Sequence, residues 1–294
     1  MIFNLGSINI DHIYRVPHFP MPGETLLSDS YSKGLGGKGA NQSIAIARAG
    51  GQVVHIGAIG EDAVWTRDIL AESGVIVDSV AVLDSPTGHA IINVDKTGEN
   101  CIVLFDGANV LLSEGQISTG LSTANAGDWL LLQNEVSGGR FAARLARAKG
   151  MKIAYVAAPF DAENVREMID IVDLLSVNEG EAAQVCAALG VSEDEIPVEK
   201  LLITRGGNGI SFRDGPTLYT QDIFQVTPVD TTGAGDTFMG YFLSELDAGK
   251  DPQEALRVAA AAAAIQITKK GTAEAIPLME GVAGFIRSYL PKSS

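Results

Sequence analysis

The 294-residue chain is poor in several features that mark whole classes of protein. It has two cysteines, 6% aromatic residues, and 21 lysines and arginines against 36 aspartates and glutamates. Two cysteines cannot form a disulfide framework. A formal net charge of −15 argues against nucleic acid or an anionic membrane as a partner, because both need clustered cations. Few aromatic side chains also leave no stacking surface for single strands.

Long hydrophobic runs are missing as well. Residues 258–265 are mostly alanine and are much shorter than the roughly 18 apolar residues of a membrane span. The first residues, MIFNLG, lack the basic start and the long apolar stretch of a signal peptide. Cys101 and Cys186 fall in a strand-like and a helix-like pattern, so we expect free, buried thiols. A cytoplasmic location follows as an expectation.

The most informative segment that is present lies in the last third of the chain. Residues 230–238 read DTTGAGDTF, and an alanine-rich amphipathic stretch that predicts a helix comes next. A Gly-Ala-Gly turn at a helix start leaves N–H groups unpaired at the positive end of the helix, where an anion can bind. Asp236 could there take a proton from a hydroxyl that attacks phosphorus. The alternative is a plain loop with Asp236 as a helix cap.

A second glycine-rich segment, residues 34–42, reads GLGGKGANQ. It departs from the Walker A pattern because its lysine is followed by glycine rather than by serine or threonine. It does fit G-x-G-x-x-G, but a dinucleotide fingerprint must follow a buried apolar strand, and residues 27–33 are mostly polar. We interpret the segment as a flexible turn that brings Lys38 and Asn41 to a helix start, where they could hold a ligand rich in hydroxyls.

Strand and helix patterns alternate along much of the chain. Strands are predicted over residues 2–8, 53–59, 129–133, 152–157, 174–177 and 200–204, and helices over residues 40–49, 139–149, 162–171 and 179–188. Such alternation implies parallel β-α-β units with ligands at the carboxyl ends of the strands. Polar residues fall at such ends, namely Asn9, Asp11, Glu135, Asn178 and Thr204. No repeat or linker interrupts the chain, so we expect a single domain over residues 1–294.

Two stretches, residues 13–33 and 88–105, show no helical pattern and alternate with the period of a β-strand. Residues 90–94 and 101–105 flank the segment DKTGEN, which is the signal of a hairpin. On its own, this hairpin could be a peripheral decoration of the fold.

The segments together resemble the ribokinase-like (PfkB) family of carbohydrate kinases along essentially the whole chain. The motifs that carry the resemblance appear in order as GSINID at residues 6–11, PGET at 22–25, GGKGANQ at 36–42, NEGE at 178–181, DTTGAGDTF at 230–238 and TKKG at 268–271. The resemblance implies a three-layer α/β/α fold with a mostly parallel central sheet. It also implies a small discontinuous β lid, inserted from about residues 12–35 and 88–106, through which two subunits form a homodimer.

The resemblance further implies an ATP-dependent kinase that phosphorylates a primary hydroxyl, most simply the 5-hydroxyl of D-ribose. Asp236 would act as general base, and the amides of Gly233, Ala234 and Gly235 would surround the transferred phosphoryl group. The implied substrate-binding residues are Asn9, Asp11, Gly36, Gly37, Lys38, Asn41, Glu135 and Asp236. The alternatives are a kinase of another sugar or nucleoside (fructose, adenosine or a ketodeoxy sugar acid), an NAD-dependent dehydrogenase, and a non-catalytic sugar-binding protein.

The same resemblance implies sites for the nucleotide and for two cations. ATP is expected at Asn178, Thr204, Arg205, Gly206, Gly207, Asn208, Gly209 and Gly235, although Arg205 could equally be a surface charge. Mg²⁺ would arrive with ATP and be held through water by Glu181. Potassium would be held, mainly by carbonyls, at Asp230, Thr232, Gln266, Lys269, Gly271 and Ala275. Ala275 stands where a serine is common, so we expect weaker affinity for the ion.

Overall fold

The computed structural model describes residues 1–289, which form two β-sheets and nine α-helices. The strands are β1 (Ile2–Leu5), β2 (Asn9–Arg15), β3 (Ser30–Gly36), β4 (Val53–Gly60), β5 (Val80–Leu83), β6 (Gly88–Val94), β7 (Asn100–Phe105), β8 (Trp129–Leu132), β9 (Lys152–Val156), β10 (Leu174–Asn178), β11 (Lys200–Thr204), β12 (Ile210–Asp214) and β13 (Thr217–Gln221). The helices are α1 (Lys38–Arg48), α2 (Val64–Glu72), α3 (Glu114–Gly120), α4 (Gly139–Ala148), α5 (Ala162–Met168), α6 (Glu179–Leu189), α7 (Ala234–Asp247), α8 (Pro252–Gln266) and α9 (Met279–Tyr289).

The larger sheet has nine strands in the order β13-β12-β11-β10-β9-β8-β1-β4-β5. Every neighbouring pair from β11 to β5 is parallel, and β12 and β13 add an antiparallel edge. Parallel neighbours need a crossover connection, which explains why α4, α5 and α6 each link consecutive strands between β8 and β11. β8 is apolar and buried throughout, and β1 is buried throughout with Asn4 as its one polar residue, because helices cover both faces of the sheet.

An apolar core lies on each face of the larger sheet, between the strands and the helices that cover them. On one face, α1, α2, α7, α8 and α9 contribute buried residues such as Ile44, Phe242 and Leu256. On the other face, α3 to α6 contribute residues such as Ile117 and Val165. The result is the three-layer α/β/α arrangement expected from the sequence. Among the residues described, no helix is both long and apolar enough to cross a membrane.

The second sheet has the order β3-β2-β6-β7 and comes from the two stretches that interrupt the alternation. β2 and β6 are parallel, whereas β3 and β7 pair antiparallel at the two edges. Every residue of β7 is exposed, including Ile102, Val103, Leu104 and Phe105. An edge strand with this much exposed apolar surface is a candidate for pairing with another chain.

The structure corrects three details of the sequence analysis. The strand predicted over residues 2–8 ends at Leu5, and β2 begins at Asn9. Asn9 and Asp11 therefore lie within the second sheet, not at the end of a central strand. Both cysteines are free, as expected, but Cys101 is exposed on β7 and Cys186 is only partly buried. The sequence analysis also missed α2, α9, β5, β12 and β13.

Close contact between α1 and α7 depends on a glycine in α7. A Cβ atom at Gly240 would lie 2.4 Å from the Cβ of Ala45 and 2.7 Å from the carbonyl oxygen of Gln42. The absence of a side chain thus lets the two helices approach closely, which brings their N-terminal turns together at one end of the sheet.

Gly240→Ala should therefore destabilise the protein by about 1–3 kcal/mol, since the added methyl group overpacks this contact. Thermal unfolding measures the effect. Gly281→Ala is the matched control, because Gly281 is an exposed residue of α9 with no atom near its missing Cβ. The control should stabilise by up to about 1 kcal/mol through helix propensity. Equal melting temperatures for wild type and Gly240→Ala would contradict the close packing.

Candidate active site

Asp236 lies in the first turn of α7 with its carboxylate facing α1. Gln42 Nε2 donates to Oδ1 at 2.9 Å, and Asn41 Nδ2 donates to Oδ2 at 3.2 Å. Burial raises the pKa of Asp236 to about 6, against the lowering effect of Lys38 and of the two amide donors. A carboxylate with a pKa just below neutrality is ionised at pH 7 and still basic enough to accept a proton.

The turn before Asp236 has the geometry of an anion site. Gly233 has φ of 76°, a left-handed conformation that favours glycine, and α7 begins at the next residue. Thr237 N–H donates to the Gly233 carbonyl at 2.9 Å, which closes the first turn. Ala234 N–H donates to the Thr231 carbonyl at 3.3 Å. Gly235 is exposed at this helix start, where N–H groups lack intrahelical acceptors and can bind phosphate oxygens.

Glu135 joins the loop after β8 to the start of α1. Ser7 Oγ donates to Glu135 Oε2 at 2.5 Å, and Lys38 N–H donates to the same oxygen at 3.1 Å. Lys38 Nζ lies 3.9 Å from Oε1. Burial alone would lower the pKa of Lys38, but Asp236 and Glu135 outweigh it and hold that pKa above its ordinary value. The ammonium therefore stays charged between two carboxylates.

Asn9 and Asp11 lie on one face of β2 and are both buried. Asn109 Nδ2 donates to Asn9 Oδ1 at 2.7 Å, which orients that amide. A Cβ at Gly36 would lie about 2.1 Å from the Asp11 carboxylate, so the glycine leaves room for it. Burial, followed by the charges of nearby carboxylates, raises the pKa of Asp11 to about 7. Hydroxyl groups that donate to this carboxyl would favour its ionised form.

Two adjoining cavities meet at Ala234 and Gly235, directly before Asp236. The smaller, of about 180 Å³, is lined by residues that include Lys38, Asn178, Glu181, Gly233, Ala234, Gly235 and Asp236. The larger, of about 430 Å³, is mostly apolar, and its lining includes Gly206, Gly207, Gly209, Ile223, Phe224, Val226, Ala263 and Ile267. Both cavities share Thr204, Thr231, Ala234, Gly235 and Phe238. The pair suits a ligand with a flat apolar end and an anionic end.

Two of the residues expected to contact ATP, Arg205 and Asn208, differ from the others in their surroundings. Arg205 Nη2 donates to Glu193 Oε1 at 2.5 Å, and its Nη1 lies 4.0 Å from Glu179. Neither Arg205 nor Asn208 is among the residues that line the two cavities described here. The ion pairs favour the interpretation of Arg205 as a surface charge over the alternative that it pairs with a phosphate.

Asn178 and Glu181 border the smaller cavity and also cap α6. Asn178 Oδ1 accepts from the N–H of Glu181, and Glu181 Oε2 accepts from the N–H of Asn178, each at 2.8 Å. Within residues 1–289, no group of three or more histidine, cysteine, aspartate or glutamate side chains is arranged to hold a metal. A divalent ion here would depend on phosphate oxygens and water as its main ligands.

The residues expected to hold a monovalent cation lie in the loop before α7 and at or beyond the C-terminal end of α8, and these two regions contact each other. Asp230 Oδ1 accepts from Thr232 N–H at 3.0 Å, and Oδ2 accepts from Gly271 N–H at 3.2 Å. Gln266 Nε2 donates to the Thr232 carbonyl at 3.0 Å. Lys269 N–H donates to the Gln266 carbonyl, and Ala275 is buried just beyond.

Among the residues expected to hold the monovalent cation, one buried side-chain atom lacks a hydrogen-bond partner. Gln266 Oε1 is buried and has no hydrogen-bond donor in the described part of the chain. An unpaired buried oxygen fits a large, weakly hydrated cation better than it fits an apolar core.

Several residues of the site carry no signal that sequence reasoning could use. Gln42 belongs to the second glycine-rich segment, but nothing local indicates that it contacts a residue 194 positions away. Asn109 and Ser7 orient Asn9 and Glu135 by hydrogen bonds from distant segments. Phe224 lines the larger cavity from an irregular segment without any motif.

The model of the pfkB family of carbohydrate kinases matches residues 1–279. The chain belongs to this family. It is 37% identical to the ribokinase of Haemophilus influenzae over an alignment of 299 positions, which covers 96% of this chain and 97% of the relative. The structure of Arabidopsis thaliana ribokinase complexed with ribose and ATP matches with a TM-score of 0.83 and 28% identity, covering 100% of this chain and 99% of that one.

A nucleoside kinase is similar in structure as well. The Burkholderia thailandensis nucleoside kinase in complex with inosine matches with a TM-score of 0.86 and 25% identity, covering 98% of this chain and 97% of that one. The family and the three-layer fold predicted from the sequence are thus confirmed. The dehydrogenase alternative is wrong, because the glycine pattern at residues 34–39 belongs to a kinase fold.

Proposed function

We propose that the protein is an ATP-dependent sugar kinase that phosphorylates the 5-hydroxyl of D-ribose. The observation that carries the proposal is the position of Asp236, which lines the smaller cavity next to Gly235, a residue that this cavity shares with the larger apolar one. A hydroxyl that approaches Asp236 from the side of Asn9 and Asp11 would face phosphate oxygens at the start of α7. Curated relatives named ribokinase cover nearly the whole chain, which supports ribose as the acceptor.

The nucleotide would place its base in the larger cavity and its phosphates toward Gly235. Lys38, held between Glu135 and Asp236, would neutralise charge on the transferred group. Mg²⁺ bound to ATP would neutralise the remaining phosphate charge, with Glu181 as a ligand through water. Phosphoryl transfer requires little covalent chemistry from the protein, so positioning and charge neutralisation would supply most of the rate.

Asp236 would accept the proton of the attacking hydroxyl. Its raised pKa makes it a stronger base than an exposed aspartate, while Lys38 and the amides of Asn41 and Gln42 keep it ionised at neutral pH. Once the hydroxyl proton moves to Asp236, the substrate oxygen can attack the γ-phosphorus, and ADP leaves along the nucleotide cleft.

Asp236→Asn should lower kcat by on the order of 10²–10⁴, because it preserves shape and removes only the base. A coupled assay of ADP release measures turnover, and nucleotide binding and melting temperature serve as controls that should stay unchanged. Turnover of the variant within threefold of wild type would refute the assigned base.

The wild-type enzyme should also depend on pH. Its kcat should fall as the pH drops through about 6, since the protonated carboxyl of Asp236 cannot accept a proton.

A nucleoside is the second candidate acceptor. Residues Ile13, Ala90 and Ile92 lie on the same face of the second sheet as Asn9 and Asp11, according to the register of β2 and β6. We call Ile13, Ala90 and Ile92 the apolar cover. It could contact either a ribose ring or a base attached to that ring. The structural similarity to a nucleoside kinase makes the second case specific enough to test.

We expect D-ribose to have the highest kcat/KM among ribose, 2-deoxyribose, fructose, adenosine and inosine. The polar groups of Asn9, Asp11 and Glu135 would pair with ribose hydroxyls, and a substrate that lacks one of them leaves a buried group unpaired. The comparison uses one enzyme preparation and saturating ATP. A tenfold preference for any other acceptor would reduce the proposal to a family-level kinase assignment.

Potassium activation is a further part of the proposal. It rests on the buried, unpaired Gln266 Oε1 and on Asp230, which links the loop before α7 to the loop after α8. A cation between these loops would hold the turn at Gly233 in the geometry that donates to phosphate.

Turnover should be higher in potassium than in sodium or tetramethylammonium at matched ionic strength. Ala275→Ser is the paired variant, because an added hydroxyl could supply one more oxygen and should lower the potassium concentration needed for half-maximal rate. Wild-type rates that are equal in all three salts would rule out a functional site at these loops.

A homodimer, a single domain and a cytoplasmic location stay predictions. The exposed apolar residues of β7 support pairing between two copies of the second sheet. The roles given to individual site residues likewise depend on the variants described above.

A further inference from the structure

A chain of buried amide side chains runs from Asp236 into the core. Gln42 Nε2 donates to Asp236 at 2.9 Å, and Gln133 Nε2 donates to Gln42 Oε1 at 2.7 Å. Gln133 Nε2 also donates to Asn4 Oδ1 at 3.0 Å, and Asn4 Nδ2 donates to the Gly39 carbonyl at 2.8 Å. Asn4, Gln42 and Gln133 are all buried, so water does not compete for these bonds.

The Gly39 carbonyl determines which way each amide in this chain faces. A carbonyl oxygen can only accept, so Asn4 must turn its NH₂ group toward Gly39 and its oxygen toward Gln133. Gln133 must then present its NH₂ group to Asn4, and the same group reaches Gln42 Oε1. Gln42 is left with its own NH₂ group toward Asp236. Amide orientations are assigned from such networks, and here a backbone atom fixes the assignment.

The far end of the chain agrees with this direction. Asn4 Nδ2 also donates to Ser43 Oγ at 2.9 Å, which leaves the Ser43 hydroxyl to donate to His55 Nδ1 at 2.8 Å. His55 Nε2 then donates to the Gly6 carbonyl at 3.1 Å. Burial lowers the pKa of His55 to about 4, so the ring is neutral and can accept at Nδ1 at physiological pH.

This arrangement of the amides leaves one acceptor atom without a hydrogen bond. Gln133 Oε1 is buried without a partner in the described residues. A rotated Gln133 would place that oxygen against Asn4 Oδ1 and Gln42 Oε1, which are both acceptors. Leaving one acceptor unpaired is therefore less costly than the reversed orientation, which would oppose acceptor to acceptor twice.

We propose that Asn4, Gln133 and Gln42 are positioning residues that ensure that Asp236 always receives an N–H donor and never faces a carbonyl oxygen. The inference rests on the proposed role of Asp236 as base. A donor stabilises the ionised carboxylate, whereas a reversed Gln42 amide would place an oxygen against it and favour the protonated form. The chain thus keeps the base ready to accept a proton.

Other groups that face Asp236 act equally in the wild type and in the variants proposed below. Lys38 and Asn41 favour its ionised form, and Glu135 opposes it. Asp11 is also close enough for its own pKa to be raised by Asp236. A change confined to Gln42 or Gln133 therefore isolates the contribution of the amide chain.

Gln42→Met keeps side-chain length and removes the donor to Asp236. The acidic limb of its kcat profile should move to higher pH by about one pH unit, so that kcat at pH 6 falls about fivefold and approaches the wild-type value above pH 8. KM for ATP should not change. A purely structural defect would instead lower kcat equally at every pH. In the Asp236→Asn background, Gln42→Met should cost no further turnover.

Gln133→Met tests the same inference one step away and serves if Gln42→Met does not fold. This variant frees the Gln42 amide to rotate. The acidic limb of the kcat profile should therefore also move to higher pH, but by a smaller amount than in Gln42→Met. Ser43→Ala is the matched control. It removes a buried partner of Asn4 but leaves the Gly39 carbonyl in place, so the melting temperature should fall while the acidic limb stays where it is.

The outcomes separate this inference from the proposed function. If Asp236→Asn retains turnover, the general-base assignment fails and the inference fails with it. If Asp236→Asn loses turnover but neither methionine variant moves the acidic limb, only the inference is overturned. A limb that moves as far in Ser43→Ala as in Gln133→Met would also overturn it, because general loosening of the core would then explain the effect.

Discussion

The contact between the N-terminal turns of α1 and α7 is the constraint on which the active site depends. Gly240 permits the close approach, and Asn41 and Gln42 reach Asp236 from a segment more than 190 residues earlier. Both helix ends carry partial positive charge from their unpaired N–H groups. Their convergence therefore creates a region where carboxylates can be buried and where a phosphate can be attracted.

That convergence explains how a strongly acidic protein can bind an anion. The chain has a net charge of −15, and Lys38 faces the carboxylates of the site with a positive charge. Burial raises the pKa of Asp11 to about 7 and that of Asp236 to about 6, so Asp11 carries only part of a negative charge near neutrality. The same desolvation that makes Asp236 basic thus also reduces repulsion toward phosphate.

The sequence predicts the central strands and helices well where local periodicity decides the structure, as in β8 to β11. It misplaces Asn9 because the turn between β1 and β2 spans only three residues and contains no strong break in the apolar pattern. The exposure of Cys101 could not be predicted, since alternation does not reveal that β7 is an uncovered edge. The motifs point to Asp236 and Lys38, whereas the contact of Gln42 with Asp236 depends on packing between distant helices.

The short turn between β1 and β2 also decides how the site can open. Asn9 and Asp11 begin β2 directly beyond this turn, whereas Ile13 and Ile92 lie farther along the second sheet. A rotation of the second sheet about the turn would displace its far end much more than its near end. Asn109 and the close fit of Gly36 against Asp11 further fix the near end. The polar contacts to a sugar would therefore be preformed, and closure would mainly bring the apolar cover over the substrate and exclude water.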